Sequence, residues 1–317
     1  MTAAWDTCAR VAVTGSIATD QLLTYPGRFA DQLIADRLDH VSLSFLADDL
    51  EVRPGGVAAN IAYGLGKLGL RPLLVGAAGR DFDEHAARLR GAGVDLGGVR
   101  VSETRHTARF ICTTDRDQNQ IATFYAGAMA EAHTIDIAAL ATAAGGFRIV
   151  HIGADDPRAM LRHTGTCRAL AIPFAADPSQ QLAGLAPEEC RQLVDGASLL
   201  FTNEYEAGLL RKHSGWSEGE VLRRVGTWIT TLGADGVTVA RRGSPPLRLP
   251  AAPVPQVTDP TGAGDAFRAG FLAGHTWDWP PERAARLGCA LAARALQTVG
   301  TQEYEPPPNH AHFPVST

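Results

Sequence analysis

The sequence predicts an α/β fold, in which a mostly parallel sheet carries helices on both faces and a small β unit stands off it. Short β-rich runs alternate with longer helix-like stretches along most of the chain, which is the pattern that parallel strands joined by crossover helices produce. One region, 107–126, breaks this alternation with two β-like runs in succession.

Segments 11–15, 72–76, 148–153, 173–177, 199–203 and 227–232 read as strands. Each closes on a residue that can turn sharply or hold a ligand: Gly15 with Ser16, Gly76, Gly153, Asp177, Asn203 and Gly233. Ligands on open α/β sheets bind beyond the carboxyl ends of the strands, so these ends are expected around one crevice. Segment 57–68 reads as a helix, since Ile61, Leu65 and Leu68 share a face and Gly69 follows as a stop. Segments 107–114 and 120–126, separated by the polar stretch 115–119, read as a hairpin. A turn symmetric about Asp117 sets Phe110 opposite Phe124, close enough to hold a flat ring. With the residues around 22–52, this hairpin makes a small β subdomain over 22–52 and 104–126. On the residues alone, a hydrophobic patch covering the core is the better reading of it, and the motifs below turn it into a lid. The Ala-rich segment 283–297 gives the last helix, and Pro306, Pro307 and Pro308 end regular structure.

Composition narrows the function. The chain has 317 residues, 45% of them hydrophobic and 20% charged, enough to bury a large core. A formal charge of −5 without a basic stretch argues against nucleic acid or an anionic membrane as a partner. No segment approaches 18 uninterrupted apolar residues, and the N-terminus lacks a charged start followed by an apolar run, so a soluble cytoplasmic protein is expected. Five cysteines, Cys8, Cys112, Cys167, Cys190 and Cys289, form no Cys-x-x-Cys pair and read as small core fillers. His310 and His312 are too few for a metal site and read as a solvated tail.

The most informative stretch is 258–274. Gly262, Ala263 and Gly264 lack bulk ahead of a helix, so their backbone N–H groups can converge on an anion, with the helix dipole in support. Asp265 stands beside that point. A carboxylate next to phosphoryl oxygens has one obvious use, which is taking a proton from an attacking hydroxyl. The bland alternative is an Asp-capped helix after a Gly-rich turn.

The segment 259–267 resembles the C-terminal signature of the ribokinase-like (PfkB) sugar and nucleoside kinases. Residues 55–60 resemble their N-terminal one, and 203–206 resembles the family's Asn-x-x-Glu element. Within the family the sequence is similar to the adenosine kinases of mycobacteria and related actinobacteria, through 13–20, 41–46, 106–110, 175–182 and 300–303. That resemblance implies a three-layer α/β/α sandwich forming one kinase domain over 1–317, with a β lid and a homodimer through the lid. It implies transfer of the ATP γ-phosphoryl group to the 5′-hydroxyl of adenosine in purine salvage. Asp265 is then the base, with Gly262, Ala263 and Gly264 as the anion loop. Ser16, Asp20, Gly56 and Asn60 fall on the ribose hydroxyls, with Ser44 from the lid side. A carboxylate such as Asp20 can accept both protons of a vicinal diol, and the Asn60 amide can serve as donor or acceptor. Phe110 and Phe124 fall against the purine, with Gln180 and Gln181 near its polar edge; without the resemblance, either Gln is equally a surface helix residue. Asn203, Thr231, Gly233 and Gly236 border the ATP, together with Gly262 and Gly264. Glu206 holds Mg²⁺ through water, and a monovalent cation such as K⁺ lies near Asp259. Two departures stand out: Gly184 in place of an arginine, and a proline-rich C-terminus in place of a further helix. A kinase for ribose, fructose or another nucleoside shares the diol grip, and a non-catalytic nucleotide-binding relative would be expected to have lost the base or the loop, which are both intact. A dinucleotide dehydrogenase is the weakest rival, because no Gly-x-Gly-x-x-Gly follows the first strand.

Overall fold

The computed structural model describes residues 10–33 and 42–308; Cys8, Val41, His310 and His312 lie outside them. The first strand, β1 (Val11–Thr14), is an unbroken apolar run apart from its last residue and is buried throughout. After it the chain leaves for a second sheet: β2 (Ala18–Thr24), a short helix α1 (Phe29–Gln32) and β3 (Asp49–Gly55). It returns through helix α2 (Val57–Lys67), β4 (Leu73–Ala78), α3 (Asp83–Gly91) and β5 (Asp95–Val101). The hairpin β6 (Ala108–Thr114) and β7 (Gln120–Tyr125) completes the second sheet, in the order β3-β2-β6-β7.

The remaining elements alternate: α4 (Ile137–Ala144), β8 (Ile149–Ile152), α5 (Pro157–Ala169), β9 (Phe174–Ala176), α6 (Pro187–Val194), β10 (Leu199–Asn203), α7 (Glu204–Ser214), α8 (Glu218–Arg224) and β11 (Thr227–Thr231). An antiparallel pair, β12 (Val237–Ala240) and β13 (Leu247–Leu249), closes that edge of the sheet before α9 (Ala263–Thr276) and α10 (Pro281–Ala295). The main sheet runs β13-β12-β11-β10-β9-β8-β1-β4-β5, and its strands from β11 to β5 are parallel.

Two apolar layers pack on its faces. Residues of α2, α3, α9 and α10 join one core, and residues of α4 to α8 join the other, so the architecture is α/β/α. The strand order reverses at β1, which lies between β8 and β4. That is the topological switch point, where ligands meet such sheets. The Gly153 N–H bonds Thr14 O and the Ser16 N–H bonds Ala154 O, each at 2.9 Å, which ties the carboxyl ends of β1 and β8 together there.

All six expected strands form, and helix α2 stops where expected, with Gly69 at φ 86°. The lid sheet is wider than 22–52: it begins at Ala18 and ends at Gly55, so Asp20 lies within a lid strand. The hairpin register is as expected, with Thr114 opposite Gln120 and Phe110 opposite Phe124. Cys112, Cys167 and Cys190 are buried, whereas Cys289 is only partly so.

Candidate active site

The glycine loop and its aspartate lie at the N-terminus of α9. Gly262 caps the helix with φ 75°, and a Cβ there would meet the Thr301 side chain at 2.7 Å, so only glycine fits. Ala263, Gly264 and Asp265 form the first turn; the Ala263 N–H makes a long 3.4 Å bond to Pro260 O, and the first-turn N–H groups of Gly264 and Asp265 precede any carbonyl the helix itself could offer them. The Asp265 Oδ2 accepts from Asn60 Nδ2 at 2.8 Å. Burial pushes the Asp265 carboxyl up to about 6, helped by the charges of Asp177 and Asp20; Arg268 and the Asn60 amide pull the other way. A base with that value is ionised at neutral pH and still able to take a proton.

Beneath this turn lies a buried charge cluster that the sequence reading did not assign. Arg268, one turn along α9, forks onto Asp177 at the end of β9: its Nη2 donates to Oδ1 at 2.7 Å and its Nε donates to Oδ2. His151 of β8 contacts the same Oδ2 at 3.0 Å through Nε2. Arg268 Nη1 donates to Gly264 O at 3.2 Å, and Nη2 lies 3.8 Å from Glu206 Oε2. Burial alone would raise the Asp177 carboxyl, but Arg268 and His151 outweigh it and hold it below the usual carboxylate range. The guanidinium therefore supports the anion loop from behind and joins it to the sheet.

On the other side, Gly56 starts α2 with φ 96°, and a Cβ there would strike Ser16 O and Ala18 N at 2.6 Å. The Ser16 side chain accepts the Val57 N–H at 3.1 Å, leaving its own proton available. Asn60 is buried, and its Oδ1 is taken by Thr301 Oγ1 at 2.8 Å and Gln302 Nε2 at 2.9 Å. It can therefore act toward a substrate only as a donor, which narrows the dual role expected of it.

Asp20, Arg53, Phe110 and Phe124 are cross-strand partners, so their side chains share one face of the lid sheet. That face looks toward the loop, since Arg53 Nη1 reaches Asp259 Oδ2 at 3.1 Å. Phe110 is 36% exposed and Phe124 47%. Burial raises the Asp20 carboxyl to about 6, against the attraction of Arg53 and with repulsion from Asp259. Ser44 lies exposed in the irregular stretch 42–48 ahead of β3.

The expected nucleotide-side residues are brought to the same edge of the main sheet. Asn203 and Glu206 form a capping box at the start of α7: Glu206 N donates to Asn203 Oδ1 and Asn203 N donates to Glu206 Oε2, both at 2.7 Å. The Asn-x-x-Glu element thus has a structural job of its own, and it aims Glu206 toward Arg268. Burial raises the Glu206 carboxyl, with Arg268 opposing. Thr231 ends β11, and the turn holding Gly233 and Gly236 follows it. Gln180 is exposed, whereas Gln181 donates its Nε2 to Asp155 O at 2.9 Å, so the expected pair is split. Asp259 has both carboxylate oxygens occupied: Oδ1 accepts from Thr261 N at 2.9 Å, and Oδ2 from Gly300 N and Arg53 Nη1 at 3.1 Å. Among the described residues no group of three or more His, Cys, Asp or Glu side chains could hold a metal by itself. No described helix is long and apolar enough to cross a membrane.

A glycine-loop anion site with its carboxylate at a helix start, facing a β lid across the switch point, is the arrangement of a sugar-type kinase. The family model for pfkB family carbohydrate kinases matches residues 11–308, and the chain belongs to that family. The nucleoside kinase of Burkholderia thailandensis, solved in complex with inosine, is 34% identical; the match covers 96% of each chain with a TM-score of 0.82. The nucleoside kinase of Methanocaldococcus jannaschii, an archaeal member of the ribokinase family, is 25% identical over 94% of this chain and 95% of that one, with a TM-score of 0.81. The nucleoside kinase of Methanothermobacter thermautotrophicus is 31% identical over 251 residues, 78% of this chain and 80% of its own length. The chain is a ribokinase-like phosphotransferase.

Proposed function

We propose that this kinase phosphorylates the 5′-hydroxyl of a nucleoside with ATP, and that adenosine is its acceptor. The observation that carries this reading is the single row Asp20, Phe110 and Phe124 on the face of the lid turned to Asp265. A carboxylate suits a ribose diol, and two adjoining aromatic rings suit a flat base rather than a free sugar. The similarity to three nucleoside kinases supports the same class of acceptor. Adenosine is taken as the acceptor on the resemblance of 13–20, 106–110 and 175–182 to adenosine kinases; Gln181, which gives one N–H to Asp155 O, keeps a carbonyl and a second N–H, so both purine edges can meet it.

In the reaction, Asp265 removes the 5′-hydroxyl proton as the oxygen attacks the γ-phosphorus in line. The first-turn N–H groups at Gly262 to Asp265 and the guanidinium behind them stabilise charge on the equatorial oxygens, which is greatest in the transition state. Asp20 and Asn60 hold the ribose as acceptor and donor. Glu206, a single buried carboxylate with an oxygen held by a backbone N–H, fits the outer sphere of a hydrated Mg²⁺ bound mainly by phosphates; when bound, that ion neutralises charge on the triphosphate. Because both Asp259 oxygens are occupied, a K⁺ ion beside the loop would be held by backbone carbonyls. ATP as donor implies the cytoplasm as working compartment and AMP formation in purine salvage as the role. The lid face opposite Asp20 exposes Leu50, Val52, Ile121 and Tyr125, an apolar surface that supports a homodimer formed through the lid.

The test is kcat/KM with ATP across adenosine, inosine, cytidine, ribose and fructose. Adenosine is expected to have the highest value of the series. A higher value for inosine would move the acceptor to the 6-oxopurines, and efficient use of ribose with nucleosides inert would overturn the reading.

A further inference from the structure

The turn at 300–302 contributes no group to the reaction described above, yet it is bonded to the asparagine on the ribose side. Thr301 Oγ1 and Gln302 Nε2 reach Asn60 Oδ1 across 241 and 242 residues of sequence, and both residues are buried. The two ends of an Asn amide are almost identical in shape and opposite in hydrogen bonding. With Oδ1 held by two donors, the nitrogen faces Asp265 and donates to it at 2.8 Å. A flipped amide would set N–H against N–H at Gln302 and oxygen against the carboxylate at Asp265, unfavourable at both ends. The Thr301 hydroxyl has one proton and a second acceptor, Pro54 O at 3.1 Å. Gln302 has two protons, so it supplies the more constant bond. Its amide is itself seated on His85, with Oε1 at 3.2 Å and Nε2 at 3.1 Å from the ring Nε2. Burial pulls that imidazole down to about 4, so it is neutral and brings no charge into the chain of bonds.

We propose that Gln302, assisted by Thr301, is a positioning residue for phosphoryl transfer, fixing which end of the Asn60 amide meets the general base and leaving the second Asn60 N–H for a substrate hydroxyl. The proposal rests on the reading of Asp265 as base and Asn60 as ribose contact. The groups that face Asp265 from the surrounding elements are Asn60 on α2, Arg268 on α9, Asp177 at the end of β9, Asp20 on β2 and the buried phenol of Tyr304. Asn60 is the one among them that reverses its polarity by a simple rotation.

The experiment titrates the Asp265 carboxyl by carbon-13 NMR in the ligand-free protein, with and without Gln302→Met, in both the unaltered and the Asn60→Ala background. Gln302→Met is expected to raise the titration midpoint by about half to one pH unit, because the freed amide turns its oxygen to the carboxylate part of the time. In the Asn60→Ala background the same substitution should shift it by less than a third as much. The acid limb of the kcat–pH profile should move in the same direction, with KM for ATP unchanged. An unmoved midpoint with Asn60 present, or an equal shift in its absence, overturns the proposal. Should circular dichroism show that Gln302→Met does not fold, Thr301→Val probes the same oxygen, with a smaller rise expected and no rise overturning the proposal. A protein that folds but phosphorylates no nucleoside sinks the functional reading alone, since the titration is read without substrate.

Discussion

The two sides of the crevice are built differently. On the phosphate side, Arg268, Asp177 and His151 are buried, and the two full charges are matched within the protein. On the lid side, Phe110 and Phe124 keep a third to a half of their surface exposed, and burial raises the Asp20 carboxyl, with Arg53 opposing and the like charge of Asp259 adding to it. The phosphate side is thus complete before ligands arrive, as electrostatic preorganisation requires. The lid side reaches its final polarity only with an acceptor in place, so acceptor affinity carries the cost of ordering and closing it. Selectivity should reside in the lid and catalytic power under the loop.

The largest expected effect comes from removing the buried cation. Arg268→Met leaves Asp177 without its partner and should lower unfolding free energy by about 3–5 kcal/mol in urea titrations. Arg53→Met, at the partly exposed pair with Asp259, should cost less than about 1 kcal/mol. Similar losses for the two would remove the contrast drawn between the sides.

Next in size is Asp265, the proposed base. Asp265→Asn should reduce kcat by on the order of 10²-fold or more, read in a coupled ADP-release assay, with ATP affinity kept. The same variant has a stability signature. A carboxyl raised from 3.8 to about 6 by folding penalises the folded state only where it is ionised, so the penalty is absent below pH 3.8 and grows as pH rises to about 6. Above that value it is complete, on the order of 1–3 kcal/mol. Asp265→Asn should accordingly unfold at a higher temperature than the unaltered protein at pH 8, with the gap closing below pH 4. A constant gap at all pH values would place its origin in packing.

The smallest effect falls on the lid. Phe110→Ala or Phe124→Ala removes stacking worth roughly 1 kcal/mol, about a fivefold to tenfold loss in kcat/KM for adenosine. KM for ATP should barely change. An equal loss for both substrates would mean that the lid closes over the whole site as one body.

Much of this was legible in the sequence, and the exceptions have physical causes. The six expected strands are β-rich runs closed by Gly, Asp or Asn, and the hairpin register followed from the symmetry of the turn about Asp117. Strand β5 escaped because Gly97 and Gly98 interrupt its pattern, and β13 because it is three residues long. Arg268 lies three residues after Asp265, where an arginine in a helix usually means a solvated face; only the fold places Asp177 beneath it. The hold of Gln302 on Asn60 spans 242 residues, a distance at which no local pattern operates. The motif glycines were readable because their need is local, a positive φ or a close approach.

The antiparallel end of the main sheet has a bearing on how copies of this chain behave at high concentration. Strand β13 presents three residues, with Pro245 and Pro246 just before it and Pro250 just after. A proline has no N–H to give to an incoming strand, and so short a ladder leaves few groups to template one. That edge resists edge-to-edge pairing with a strand of another copy.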